Sequence, residues 1–354
     1  MKLLVLRGDG IGPEICAAAV RVLERVDERH GLGLEIEHRE IGLGALERHG
    51  TTAPQDTLDA CAAADGVILG PISHADYPSA ADGGVNVSAS LRIGLDLYAN
   101  IRPSRTRPGV GARQLAPMDL VIVRENTEGF YADRNMHSGA GEFMPTADVA
   151  LAVRKITAQG SRRIAQAAFE IALRRPRQKV TAVHKANVLR VSDGLFLSEV
   201  RKVAKDFPSV IYEEQLVDSM AALLVRDCQR FDVVVTTNMF GDILSDLSAE
   251  LSGGLGLGGS INRGEAHCLA QAQHGSAPEL AGKDIANPCA MICSVAMLLD
   301  WYASTAPGRE GFAAASVAID TAIDALLSRS QTRTRDLGGA LGTRAFAEAL
   351  CLQL

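Results

Sequence analysis

The sequence is poor in aromatic residues, with one Trp, five Tyr and nine Phe in 354 positions. That scarcity argues against the stacking platforms that hold single-stranded nucleic acid. Positive charge is not in excess either. Thirty-six Lys and Arg face 42 Asp and Glu, a net charge of −6, so no global basic field draws in a polyanion, although a local basic pocket is allowed. No apolar run approaches the roughly 20 residues of a membrane span; Ile292 to Leu299 falls well short. The start, Met1 to Leu6, is too short for a signal-peptide core and runs straight into a turn. There is no C-x-x-C pair. The seven cysteines (16, 61, 228, 268, 289, 293, 351) are scattered and odd in number, which reads as reduced, mostly buried thiols in a cytoplasmic protein. Cys289 and Cys293 stand four apart on an expected helix without further ligands at useful spacing, so core packing is their reading.

What is present is ordinary for a globular chain: 47% hydrophobic and 22% charged residues. The length suffices for two domains or one large α/β unit. Strand-like runs (Lys2 to Arg7, Gly66 to Leu69, Leu120 to Arg124, Lys179 to His184, Phe231 to Thr237) alternate with helical patterns (Gly12 to Arg29, Ser161 to Arg174, Ser192 to Asp206, Asp242 to Leu251). This alternation predicts an α/β fold with a largely parallel or mixed sheet. The glycine-rich stretch Gly253 to Gly259 reads as a loop near a domain junction. Residues from about Ala132 to Thr146 carry no periodicity and suggest a protruding loop or arm.

Gly8-Asp-Gly-Ile-Gly12 follows the first strand and invites a dinucleotide-binding reading. The fingerprint needs a third glycine at position 13, which is Pro13. Proline suits the first turn of a helix. The Rossmann reading is therefore rejected, and the turn is expected to pack beside a cofactor rather than cradle its pyrophosphate.

Three arginines mark a different site. Arg92 lies in Leu-Arg-Ile-Gly, Arg102 in Asn-Ile-Arg-Pro and Arg124 in Val-Arg-Glu-Asn, and the latter two are read as ending strands. A guanidinium fork matches a carboxylate bidentately, so together they suggest a polyanionic small-molecule pocket; singly, each reads as an ion-pair partner on the surface. After the run Val233 to Thr237, an Asn-Met-Phe-Gly turn leads to a helix opening with Asp242 and Asp246, one turn apart on one face. Two carboxylates there suit a hard cation such as Mg²⁺ or Mn²⁺, whereas the plainer reading is acids complementing a helix dipole. Lys185 ends a strand and Tyr131 follows Arg124 closely; either can relay a proton, or be a merely satisfied polar group. His274-Gly-Ser-Ala-Pro-Glu279 and Asn287-Pro288 form a loop of small residues that lets backbone approach a flat ligand. Glu279 there can accept from a ribose diol and repel a 2′-phosphate, which favours NAD over NADP.

In order along the chain, these segments resemble the β-decarboxylating dehydrogenases: isocitrate, homoisocitrate, 3-isopropylmalate and tartrate/D-malate dehydrogenases. The resemblance rests on Gly8 to Glu14, Leu91-Arg92, Arg102-Pro103, Arg124 to Gly129, His184-Lys-Ala-Asn187, Val217-Asp218, Asn238 to Asp246 and His274 to Pro288, and covers nearly the whole chain. It implies a two-domain α/β fold with a large mixed sheet, unlike the Rossmann domain. Residues 1–99 and 252–354 would form a cofactor-side domain. Residues 100–251 would form a substrate, metal and dimerisation domain, with a clasp arm around 132–160. It further implies NAD, Mg²⁺ or Mn²⁺, and a homodimer or larger assembly with shared sites. Arg92, Arg102 and Arg124 would clamp the malate carboxylates. Asp242, Asp246 and a second copy's Asp218 would hold the metal. Lys185, Tyr131 and Asp218 would move protons, Lys185 also crossing from the second copy. Ser73, His274, Gly275, Ser276, Ala277, Pro278, Glu279 and Asn287 would meet the cofactor.

The segment before Arg92 carries Asn86 and Ser88, read as sharing a face. Leucines receive the isopropyl group in isopropylmalate enzymes, while isocitrate enzymes usually carry Ser and Asn, here in swapped order. Leaving a buried amide unpaired against an isopropyl group would cost roughly 1–3 kcal/mol, so the pair favours isocitrate or homoisocitrate, with 3-isopropylmalate or tartrate/D-malate as alternatives. Two departures stand out: Ala270-Gln-Ala-Gln273 replaces the family's Phe-Glu-Pro-Val, and His74 stands where relatives place a small hydroxyl residue, a role Ser73 can fill. A non-catalytic regulatory subunit is the remote alternative. Such paralogues lose members of the Lys/Tyr/Asp set, and Lys185, Tyr131, Asp218, Asp242 and Asp246 are all present here.

Overall fold

The computed structural model describes residues 1–111, 116–131, 133 and 136–354. In chain order the elements are β1 (Lys2–Leu6), α1 (Gly12–His30), β2 (Glu35–Arg39), α2 (Leu43–His49), α3 (Gln55–Ala63), β3 (Gly66–Leu69), α4 (Val87–Gly94), β4 (Ala99–Arg105) and β5 (Asp119–Glu125). There follow β6 (Glu142–Thr146), β7 (Val149–Ala152), α5 (Ala158–Leu173), β8 (Lys179–His184), α6 (Ser192–Ala204), β9 (Ile211–Leu216), α7 (Val217–Arg226), β10 (Val233–Thr236) and α8 (Asn238–Ser252). The chain closes with β11 (Ile261–Arg263), β12 (Cys268–Gln271), α9 (Cys289–Ser304), α10 (Glu310–Leu327) and α11 (Thr343–Cys351).

The chain divides into two compact units. One comprises Met1–Asp96, Arg107–Gly111 and Gly253–Leu354; the other comprises Leu97–Thr106 and Ala112–Ser252. The architecture is a large mixed sheet of ten strands with helices, as expected. In the first unit the strand order is β2-β1-β3-β12-β11, parallel except for the β11–β12 pair. In the second it is β4-β5-β10-β8-β9, parallel except for β4–β5.

The strand β10 shows why the sequence reads as it does. All four residues, Val233 to Thr236, are buried, because a parallel strand covered on both faces has no solvent side. Its neighbours Met118, Leu120, Ile122, Val183, Met220, Leu224, Phe231, Val234 and Leu244 form one apolar core. That core seats α8 against β5 and fixes where its acids emerge.

Some local expectations change. The Asn-Met-Phe-Gly segment is not a turn: α8 begins at Asn238, so Asp242 is in its second turn rather than at its start. Arg102 is the fourth of the seven residues of β4 and does not end it. The aperiodic arm contains a hairpin, β6–β7, antiparallel with an irregular register. Every residue of it is exposed, so no alternation of burial marked it in the sequence. Positions 132, 134 and 135 of the expected arm lie outside the described residues.

All seven cysteines are free and buried. Burial pushes the Cys16 and Cys61 thiols up to about 12, far from the reactive thiolate range. Titration of the native protein with a disulfide reagent at pH 8 should therefore modify fewer than about one thiol per chain, against seven in denaturant. Rapid modification of several thiols in the native protein would contradict this packing.

Candidate active site

Within the second unit, α8 lies against β4 and β5 closely enough to bring its acids to two buried arginines. Gly241 permits the approach: a Cβ there would stand 2.6 Å from Arg124 Cγ and 2.7 Å from Arg124 Cβ. Arg124 is 2% exposed. Its Nε and Nη2 donate to Asn238 Oδ1 at 2.9 and 2.7 Å, and its Nη1 donates to Asp242 Oδ1. Nη2 also donates to the Tyr131 hydroxyl at 2.7 Å, which in turn donates to Asp242 Oδ2 at 2.8 Å. The Tyr131 proton is thus oriented by one accepted and one donated bond.

Arg102 completes the group. Its Nη1 reaches Asp242 Oδ1 and Asp246 Oδ1, each at 3.2 Å, and Ser245 Oγ at 2.8 Å. Burial, and then the charge of Arg124, pull its guanidinium down to about 10, which leaves it fully protonated at neutral pH. Its Nε is buried without a hydrogen-bond partner. Asp242 and Asp246 remain partly open, with side chains 39% and 53% exposed. The result is two hard carboxylates facing out, two guanidinium groups behind them and one aimed hydroxyl. Such an arrangement can bind a small polycarboxylate and deliver a proton to it.

Lys185 and Asp218 form a separate pair, Nζ to Oδ1 at 2.6 Å. Asp218 sits in the first turn of α7, and the hydrogen bond from the Lys185 ammonium holds its carboxyl below the usual range. Neighbouring His184 is pulled down by burial and accepts from Ala186 N at Nδ1 (3.0 Å), as a neutral imidazole does. Among the described residues no group of three or more His, Cys, Asp or Glu gathers as a metal site, so Asp218 does not join Asp242 and Asp246 in this chain.

The first unit holds Arg92 in α4, together with Ser73 and the 274–287 loop. Ser73 Oγ donates to Ser276 Oγ at 2.8 Å, bringing together two residues far apart in sequence. The glycine turn packs there too: Ile11 N donates to Ser276 O, and a Cβ on Gly10 would meet that oxygen at 2.0 Å. Asp9 is a buried hub, accepting from Leu43 N, Ser73 N and the Tyr77 hydroxyl at 2.7–2.9 Å. Ala277 adopts a left-handed φ of 37°, while Gly275, Pro278 and Glu279 are exposed. Burial pulls His274 down, and its Nε2 is buried without a partner. Asn287 is engaged internally, donating to Asp336 Oδ2 and accepting from Cys289 N, each at 2.9 Å.

One specific expectation fails. Asn86 and Ser88 do not share a face: Asn86 is the N-cap of α4, its side chain accepting from Ala89 N at 3.0 Å, and Ser88 is in the first turn. Residues two apart on a helix point nearly opposite ways. Sequence reading also passed over Asn238, Ser245, Asp9 and Tyr77. Asn238 and Ser245 carried a usable signal, since both stand at helical spacing from Asp242. Asp9 and Tyr77 meet only through the fold.

A family model described as isocitrate/isopropylmalate dehydrogenase matches residues 2–350. An isocitrate/homoisocitrate dehydrogenase of Thermus thermophilus is 44% identical over 99% of this chain and 97% of its own. A 3-isopropylmalate dehydrogenase of Archaeoglobus fulgidus is 41% identical over 98% and 97%. Among solved structures, isocitrate dehydrogenase from Methylococcus capsulatus superposes with a TM-score of 0.87 at 39% identity, covering 99% of this chain and 98% of that one.

Proposed function

Because this chain belongs to the isocitrate/isopropylmalate dehydrogenase family, we propose that it catalyses the NAD-dependent, metal-requiring oxidative decarboxylation of a 3-substituted malate, with isocitrate or homoisocitrate as substrate. The observation that carries this reading is the cluster of Arg102, Arg124, Tyr131, Asp242 and Asp246.

The donor set fits a hard divalent ion. Asp242 and Asp246 offer carboxylate oxygens, the hard donors such an ion takes, from partly open side chains. Mg²⁺ or Mn²⁺ held there supplies Lewis acidity toward a 2-hydroxy acid. Asp218 and Lys185 of a second copy would complete the site. Met239 and Ile243 on α8 and Val188 and Val191 before α6 are exposed, which supports an apolar subunit interface.

In this unit Arg102 and Arg124 bind substrate carboxylates, Arg102 through the Nε that has no other partner. Lys185, paired with Asp218, holds and moves the hydroxyl proton. The Tyr131 hydroxyl, aimed by Arg124 and Asp242, protonates the carbon that loses its carboxylate. On the cofactor side, the orphaned His274 Nε2 and the open space around Gly275 suit a heteroaromatic ring and its ribose. NAD bound there supplies hydride-accepting capacity. Exposed Glu279 reads the ribose diol. The Glu279→Lys variant should shift the NAD/NADP ratio of kcat/KM toward NADP by about tenfold, the size of one charged hydrogen bond. An unchanged ratio would remove Glu279 from cofactor reading.

The substrate assignment rests on the polar Ser88 in the first turn of α4, the Asn86 side chain being engaged as the cap of that helix. Specificity constants with Mn²⁺ should favour isocitrate or homoisocitrate over 3-isopropylmalate by at least about tenfold, the worth of one mismatched polar group. A preference for 3-isopropylmalate would overturn the substrate assignment while leaving the reaction class intact.

A further inference from the structure

Arg154 has no place in the mechanism above, yet its guanidinium is the meeting point of the segments that carry it. The side chain is 7% exposed and forms an ion pair with Asp193, which is fully buried. Nη1 also donates to Ser192 Oγ at 3.0 Å, and Nη2 to Thr237 Oγ1 at 2.9 Å. The guanidinium lies over two rings, Phe130 at 5.6 Å and Phe240 at 5.4 Å.

Each partner leads to one functional residue. The second Asp193 oxygen accepts from Lys185 N at 2.6 Å, so the carboxylate clamps the backbone that presents the lysine. Phe130 immediately precedes Tyr131. Thr237 immediately precedes α8, its carbonyl accepting from Gly241 N, and Phe240 lies two residues before Asp242. The backbone at Lys155 adds a fourth tie: Lys155 and Gly129 exchange both amide hydrogen bonds, at 2.9 and 3.0 Å. One planar cation, through both terminal nitrogens and its contacts with two rings, therefore touches the segments bearing Lys185, Tyr131 and Asp242.

We infer that Arg154 is a positioning residue that sets the Lys185, Tyr131 and Asp242 segments against one another through Asp193, Phe130, Thr237 and Phe240. The inference builds on the proposed dehydrogenase reading for what those residues do, but not for how they are held. Arg154 touches no reacting atom. Its effect is expected on turnover more than on substrate binding, since Arg102 and Arg124 are rooted in β4 and β5, two strands that Arg154 does not touch.

The test uses the full-length protein. Arg154→Gln leaves Asp193 buried without its cation and is expected to fold poorly. Arg154→Lys keeps the charge but cannot span Ser192, Asp193 and Thr237 at once, because an ammonium lacks the planar fork. Arg154→Lys should lower kcat per folded molecule by about tenfold to a hundredfold with KM within about threefold, the signature of misplaced rather than lost groups. Amide hydrogen exchange should rise together in residues 127–131, 185–189 and 236–242 by about tenfold. Thr237→Val should release 236–242 alone. Unchanged kcat with unchanged exchange in Arg154→Lys, or release of only one segment, would overturn the inference. If the unsubstituted protein itself shows no dehydrogenase activity, the proposed function fails, and the exchange measurements still decide whether Arg154 couples the three segments.

Discussion

Asp242→Asn is expected to reduce kcat/KM by on the order of 10³ while leaving the fold intact. The isosteric amide preserves the shape of α8 but removes the charge on which the cluster converges. Asp242 accepts from Arg102, Arg124 and the Tyr131 hydroxyl. An amide presents one acceptor oxygen instead of two, so either an arginine or the tyrosine loses its bond. The variant also halves the anionic donor set that this chain offers a divalent ion. Some stability should go with it, about 1–3 kcal/mol, because the Arg124 guanidinium is buried and loses a carboxylate partner while keeping Asn238 and the Tyr131 hydroxyl. Steady-state kinetics beside a thermal melt will separate the two effects. Retention of activity within tenfold would mean that Asp242 has no part in the chemistry.

Gly241→Ala is the second large effect, and it comes from a single methyl group. On helix propensity alone the change should stabilise α8 by up to about 1 kcal/mol. The new Cβ, however, would sit well inside van der Waals distance of Arg124 Cβ and Cγ and 3.2 Å from Thr236 Cγ2. Those are the root of the arginine, not its flexible end, and the far end is tied to Asn238, Asp242 and Tyr131. Neither side can yield cheaply, so overpacking of about 1–3 kcal/mol outweighs the propensity gain. The variant should melt several degrees lower, and its KM for the malate-type substrate should rise by about tenfold or more as Arg124 is displaced. An unchanged KM and a raised melting temperature would show that α8 can move off β5 without consequence.

Much of the fold was legible because burial on both faces leaves a continuous β-branched run. Val233 to Thr236 and Lys179 to His184 are strands where the sequence placed them. The helices with clear 3.6-residue periodicity, α1 and α6, likewise lie within a few residues of their expected positions. What escaped was either unpatterned or non-local. The β6–β7 hairpin is exposed on both faces and so carries no alternating signal. The first turn of α8 was hidden because Asn and Gly there looked like turn residues, whereas Asn238 spends its side chain on Arg124 and Glu128 O. Asn86 was read as a pocket residue, but hydrogen-bonds Ala89 N at the start of α4. Of the candidate site, Asp242, Asp246, Arg102, Arg124 and Tyr131 were named from chemistry and order, and the fold gathers all five. The Arg154–Asp193 pair could not be found that way, since its members are 39 residues apart and meet only through the fold.

The central claim is that this cluster serves metal-dependent oxidative decarboxylation. The most direct measurement follows nicotinamide reduction and CO₂ release together, with isocitrate, homoisocitrate, 3-isopropylmalate, D-malate and tartrate, each with NAD⁺ or NADP⁺. Purified protein would be assayed with Mn²⁺, with chelator, and with Mn²⁺ restored. The expected result is reduction of NAD⁺ with CO₂ released in equal amount, lost with chelator and regained with the ion. No metal-dependent reduction of either cofactor with any of these acids would contradict the account.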